Sequence, residues 1–182
     1  MSSIKLGAKG IFCGLLLCAG MNAHALDSFS IEGGAGENVA MARLGLQWEW
    51  EKPLLQFNGF HLGGYWEASI AQWRGTRHRN KKGNQYITSF GFTPTFRLQA
   101  DDKKGLYLEG AIGVNWLTDK YDNGGKKLST KFQFGDFVGI GYTFSNGMDL
   151  SLRYEHYSNG GIKKPNSGVD FGVVRFRMPL DF

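Results

Sequence analysis

The chain has 182 residues, a formal net charge of +5, 27 glycines and 14% aromatic residues, but only two cysteines. That length accommodates one ordinary domain. The charge is too mild to imply a nucleic-acid partner, and the cysteine count excludes a multiply cross-linked scaffold.

In chain order the first element is a leader. In "MSSIKLGAKGIFCGLLLCAGMNAHALDS", Lys5 and Lys9 precede an apolar run from Ile11 to Ala19, and Ala23-His24-Ala25 supplies an A-x-A site. This is the layout of a secretory signal peptide over 1–25, cleaved after Ala25. The run is too short to span a bilayer, and bulky Leu17 speaks against acylation at Cys18. Cleavage removes Cys13 and Cys18, so the exported chain 26–182 has no thiol for a disulfide, a nucleophile or a metal site. It carries 19 basic and 16 acidic residues, a net charge of +3.

No later stretch holds a helical apolar period, whereas period two recurs throughout. After a weak strand at Phe29–Gly33, "RLGLQWEW" sets Leu44, Leu46, Trp48 and Trp50 against Arg43, Gln47 and Glu49. Gly59–Trp73 follows. "QYITSFGFTPTFRL" then sets Tyr86, Phe90, Phe92, Phe96 and Leu98 against Ser89, Gly91, Thr93, Thr95 and Arg97. "LYLEGAIGVNW" and "KFQFGDFVGIGYTF" repeat the pattern, and Met148–Ser158 and Gly168–Phe182 complete eight predicted strands.

The connections alternate in length. Glu51–Leu54, Asp101–Gly105 and Ser145–Gly147 are short; Arg74–Gly83, Thr118–Thr130 and Asn159–Ser167 are long. Short periplasmic turns and long external loops are the outer-membrane barrel pattern. Tryptophans and tyrosines near strand ends suggest aromatic girdles, and Phe182 is in phase with Leu180, Met178 and Phe176. The fold class expected is all-β, an eight-stranded antiparallel transmembrane barrel over 26–182. Its lumen has room for packed side chains but not for a channel. A soluble sandwich, with the apolar face inward, is the competing fold.

One stretch breaks its own pattern. In "RYEHYSNGGIKKPNSGVD", Met148, Leu150, Leu152 and Tyr154 form an outward row that ends in His156 and Ser158. On the next strand Asp170 is in phase with outward Gly172, Val174 and Phe176. With both termini periplasmic, Met148 to His156 rises roughly 20 Å, at about 3.3 Å per residue and a tilt near 40°. That places three polar residues at the outer-leaflet interface, where unpaired polar groups cost free energy. The bland reading is a polar collar at the rim. The chemical reading is serine as nucleophile, imidazole as base and carboxylate as orienting acid. Asn159 and the Gly160-Gly161 backbone are candidate oxyanion donors, and the parity of Glu155 sends it into the lumen.

"HYSNGGIKKPNSGVD" resembles the signature of the PagL-type lipid A 3-O-deacylases, outer-membrane enzymes that hydrolyse the ester-linked acyl chain at position 3 of lipid A. "RLGLQWEWEKP", "GYWEASIAQWRG", "LEGAIGVNWL" and the Met178-Pro179-Leu180 ending extend the likeness over most of the exported chain. The resemblance implies an eight-stranded barrel with its site on the lipid-facing wall. It also implies His156 as base, Ser158 as nucleophile, and Asn159 with the Gly161 amide as oxyanion hole. The family's acid is a glutamate. Here the position holds Asp170, one methylene shorter, so contact with His156 requires close strands or a bridging water.

The remaining signals are weaker. His61, His78 and His156 lack ligand spacing, so no metal and no cofactor are expected. "DKYDNGG" has no calcium-loop spacing, and "GGAGEN" opens no helix. The basic loops "RGTRHRNKKG" and "DNGGKKLST", with Lys163 and Lys164, are solvated charge or contacts for lipid A phosphates. The expected partners are lipid A or lipopolysaccharide and outer-membrane lipids, with a homodimer left open. The alternative functions are a non-enzymatic structural or adhesive barrel, or another lipid-modifying barrel such as an acyltransferase or phospholipase.

Overall fold

The computed structural model describes residues 25–180. All but Ala25 of the expected leader, and Phe182, lie outside the described residues. Eight long strands form: β1 (Ser28–Gly36), β2 (Val39–Glu49), β3 (Phe60–Gly75), β4 (Gln85–Ala100), β5 (Gly105–Leu117), β6 (Phe132–Thr143), β7 (Asp149–Ser158) and β8 (Val169–Pro179). Each is antiparallel to its neighbours in sequence. β1 also pairs with β8, so the sheet closes into an eight-stranded barrel. The eight expected segments are these strands. At the end that holds both termini the β2–β3 hairpin is extended by Leu55–Phe57, which pairs with Phe60–Leu62 around a tight Asn58-Gly59 turn. Both turn residues have positive φ, 49° and 80°, which asparagine and glycine tolerate.

The alternation has the polarity of a membrane barrel. Ile31, Leu44, Phe90, Leu108, Ile112, Val138, Leu152 and Val174 all point outward and are exposed. The opposite positions bury charge. Arg43 binds Glu32, Glu155 and the Tyr157 hydroxyl. Arg153 binds Glu109 at 2.8 Å, and Arg97 spans Glu109 and Asp149, both at 3.1 Å. A soluble sandwich would reverse these faces, because burying unpaired charge while exposing apolar side chains is unfavourable in water. Pro94 sits on an outward row inside β4. There the β4–β5 ladder is interrupted, passing from Phe92↔Val114 to Thr95↔Ala111, which accommodates the missing N–H.

The lumen is not lined by charge alone. Its end opposite the termini holds an apolar cluster of Trp73, Tyr157, Phe171, Val173, Met41 and Ile87, roofed by Tyr121 and Leu128 from the β5–β6 loop. Trp73 stacks edge-on against Tyr157 and Phe171, with centroids 4.8 and 4.9 Å away. The aromatic girdle is also only partial. Trp116, Tyr86 and Tyr142 face outward, but Trp73, Tyr65, Tyr107 and Tyr157 are buried inside. Aromatic residues near strand ends serve both surfaces, and only parity separates them.

Candidate active site

β7 and β8 position the site. Their ladder sets Leu150 opposite Phe176, Leu152 opposite Val174, Tyr154 opposite Gly172 and His156 opposite Asp170. The outward row therefore changes from apolar to polar at the outer end of both strands at once. Between His156 and Ser158, Tyr157 points inward, packs on Trp73 and meets Arg43 and Glu155. The outward pair is thus held from behind by a buried ring and its hydrogen bonds.

His156 Nδ1 and Asp170 Oδ1 lie 2.7 Å apart. This is direct contact, with no bridging water. Register partners on adjacent strands have close Cβ atoms, so the shorter acid still reaches. The bond leaves Nε2 as the imidazole atom available to take a proton. Tyr154, one row position below, also faces the Asp170 carboxylate, and Lys126 Nζ lies 3.6 Å from Asp170 Oδ2. The imidazole rests against Gly168. A Cβ built on that glycine would stand 2.5 Å from His156 Cε1, and its φ of +72° also favours glycine.

Ser158 lies half-buried on the same outward row as His156. Its Oγ accepts a 3.3 Å hydrogen bond from the Gly160 amide. Asn159 is fully buried. Its Nδ2 donates to Lys163 O at 2.7 Å and to Ser129 Oγ at 3.3 Å, its Oδ1 accepts the Gly161 amide at 3.0 Å, and its own amide donates to Asn166 Oδ1 at 3.0 Å. Asn159 and the Gly161 amide therefore bond one another, and Asn159 organises the loop. Among the three groups read as oxyanion donors, the Gly160 amide already faces the serine. Glu155 points into the lumen as its parity predicts, with its carboxylate on Arg43 and Tyr157.

Several neighbours escaped the sequence reading. Asp136 on β6 is the register partner of His156 on the side away from Asp170. The same parity argument finds it, since it is the one acidic residue on the outward row of "KFQFGDFVGIGYTF". Gly168 and Lys126 give no periodic signal. Their roles depend on where a turn and a loop come to rest. Among the described residues there is no cluster of three or more potential metal ligands.

Fold and site together define an outer-membrane barrel with a serine, histidine and aspartate on its lipid-facing wall. The family profile "Lipid A 3-O-deacylase (PagL)" matches residues 40–179. The chain belongs to the lipid A 3-O-deacylase (PagL) family. It is 32% identical over 160 residues to the lipid A deacylase PagL of Pseudomonas aeruginosa, covering 87% of this chain and 89% of that protein. With the lipid A deacylase PagL of Bordetella bronchiseptica it shares 28% identity over 169 residues, 88% of each chain. The crystal structure of the outer membrane enzyme PagL superposes with a TM-score of 0.73 at 29% identity, covering 84% of this chain and 99% of that one.

Proposed function

We propose that this outer-membrane lipid A deacylase removes the ester-linked 3-hydroxyacyl chain at position 3 of lipid A, with Ser158 as nucleophile, His156 as base and Asp170 as orienting acid. The observation that carries the reading is the His156–Asp170 contact of 2.7 Å on the lipid-facing row that also holds Ser158. A lipid in the outer leaflet presents its ester to this wall without leaving the membrane.

The residue types on this row support the chemistry. Once Ser158 Oγ is brought within reach of the ring, it passes its proton to His156 Nε2 and attacks the ester carbonyl carbon. Asp170 holds the Nδ1–H tautomer and stabilises the imidazolium that forms. The oxyanion of the tetrahedral intermediate is met by the Gly160 amide, already at Ser158. The Gly161 amide joins it when its bond to Asn159 Oδ1 opens, and Asn159 Nδ2 joins when it leaves Lys163 O and Ser129 Oγ. Collapse breaks the ester C–O bond, and His156 returns the proton to the departing sugar hydroxyl. Water, deprotonated by His156, then attacks the acyl-serine and releases the free hydroxy acid. The Lys163 and Lys164 side chains on the β7–β8 loop supply positive charge at headgroup level for the lipid A phosphates.

Mass spectrometry of lipid A from cells producing the protein tests the reading. Lipid A should lose one 3-hydroxyacyl chain, and free hydroxy acid should appear. Ser158→Ala should stop the loss while the barrel keeps its heat-modifiable gel mobility, since among the described residues the hydroxyl takes part in one long hydrogen bond. Deacylation by Ser158→Ala at the wild-type rate would overturn the assignment.

A further inference from the structure

We infer that Lys126 is a positioning residue for the acid of the triad, delivered to Asp170 by a strap that crosses the barrel mouth. The inference rests on the triad reading above. Lys126 belongs to the β5–β6 connection, whereas Asp170 lies on β8, with β7 between β6 and β8. Its Nζ nevertheless lies 3.6 Å from Asp170 Oδ2 and 3.6 Å from Glu37 Oε2 in the β1–β2 turn. The loop has to pass over the mouth to bring the ammonium there.

The strap is fixed along its length. Asp122–Asn123 pairs with Lys126–Lys127, turning at Gly124 and Gly125 with φ of 60° and 83°. Tyr121 and Leu128, on either side, are 2% and 1% exposed in the apolar cluster. Asn123 Nδ2 donates to Asn38 O at 2.8 Å, tying the strap to the β1–β2 turn. Lys127 O accepts the Ser167 amide at 3.0 Å, and Leu128 bridges to Asn166, tying it to the β7–β8 loop. An exposed lysine on a free loop contributes little to an ion pair, because ordering its side chain costs entropy. Here the backbone is already ordered on both sides of Lys126, which lowers that cost.

The charge acts on the far side of the carboxylate. Oδ1 is taken by His156 Nδ1, so a cation at Oδ2 fixes the carboxylate plane and offsets part of the negative charge presented to the imidazole. Other charged or titratable groups facing this pair are Tyr154 on β7, Asp136 on β6 and, through Lys126, Glu37 in the β1–β2 turn. Asp122 and Lys127 on the strap pair with one another at 3.1 Å. Among the described residues, Lys126 is the cation besides His156 that pairs with Asp170.

The test is the pH dependence of hydrolysis of purified lipid A by wild type, Lys126→Met, Lys126→Arg and Glu37→Gln in detergent micelles, from about pH 5 to about pH 9. Lys126→Met should lower kcat about tenfold with KM little changed. It should also move the acidic limb to higher pH by roughly half a unit, because losing a nearby positive charge favours imidazolium. Lys126→Arg should restore both. Glu37→Gln removes a negative charge, so it should leave the limb in place or move it lower. A raised KM with an unmoved limb in Lys126→Met would make Lys126 a substrate contact, and matching shifts in Lys126→Met and Glu37→Gln would make it a loop tether. Either result overturns the proposal. NMR titration of the His156 ring without substrate separates this from the enzymatic reading. If the ring titration moves in Lys126→Met although wild type hydrolyses no lipid A, the clamp stands and the function fails; if it does not move, the clamp fails.

Discussion

Asp170 stands directly opposite His156 across the β7–β8 ladder, and its carboxylate meets Nδ1 at 2.7 Å. No gap is left for a further methylene. Asp170→Asn should therefore lose about 10²- to 10⁴-fold in kcat, since the amide cannot stabilise imidazolium and can select the wrong tautomer. Asp170→Glu should retain activity at or below the wild-type level, because the longer side chain has to fold back to make the same bond. Deacylation kinetics with purified lipid A check both. An Asp170→Asn enzyme as fast as wild type would remove Asp170 from the chemistry.

Glu155 is the informative contrast. It adjoins His156 in sequence but faces the lumen, where Arg43 and Tyr157 donate to it. Facing the lumen, Glu155 should matter little to the chemistry, but Glu155→Gln breaks a buried ion pair. Loss of one partner from such a pair costs about 3–5 kcal/mol. Urea unfolding should register a cost of that order, while kcat of the folded fraction stays near wild type. A fallen kcat with unchanged stability would place the carboxylate in the reaction.

Gly168 gives a third test. Ala at this position would put a Cβ 2.5 Å from His156 Cε1 on a backbone with φ of +72°. The ring has to move, and a displacement near 1 Å can cost about 100-fold in rate. The fold should lose only about 1–2 kcal/mol, the usual cost of a left-handed residue with a side chain. Activity measured beside unfolding separates these effects, and a Gly168→Ala enzyme with wild-type kcat would show that the ring does not depend on the glycine.

Much of this architecture is legible in the residues because a strand reports its two faces by parity. The outward rows, the eight segments and the inward Glu155 all follow from period two. Parity gives the face and not the neighbour, so the 2.7 Å contact had to come from the ladder register of β7 and β8. Loops carry no period at all. The path of 118–131 over the mouth, which seats Leu128 and brings Lys126 to Asp170, depends on tertiary packing. Asn159 shows the same limit. Its place beside Ser158 suggests a donor to substrate, yet the loop engages both ends of its amide.

The membrane reading of the barrel wall can be tested at Leu152. Its side chain is 59% exposed, and its register partners Ile140 and Val174, at 49% and 50%, make an apolar patch across three strands. Leu152→Arg replaces the centre of that patch with a charge. In hydrocarbon the substitution should cost about 2–4 kcal/mol near the midplane and less towards the rims. In water an exposed Leu→Arg exchange is close to neutral. Folding of wild type and Leu152→Arg into phospholipid vesicles, followed by urea titration, measures the difference. A cost of about 2 kcal/mol or more places this wall in lipid, and an unchanged midpoint would mean that β6, β7 and β8 present it to water.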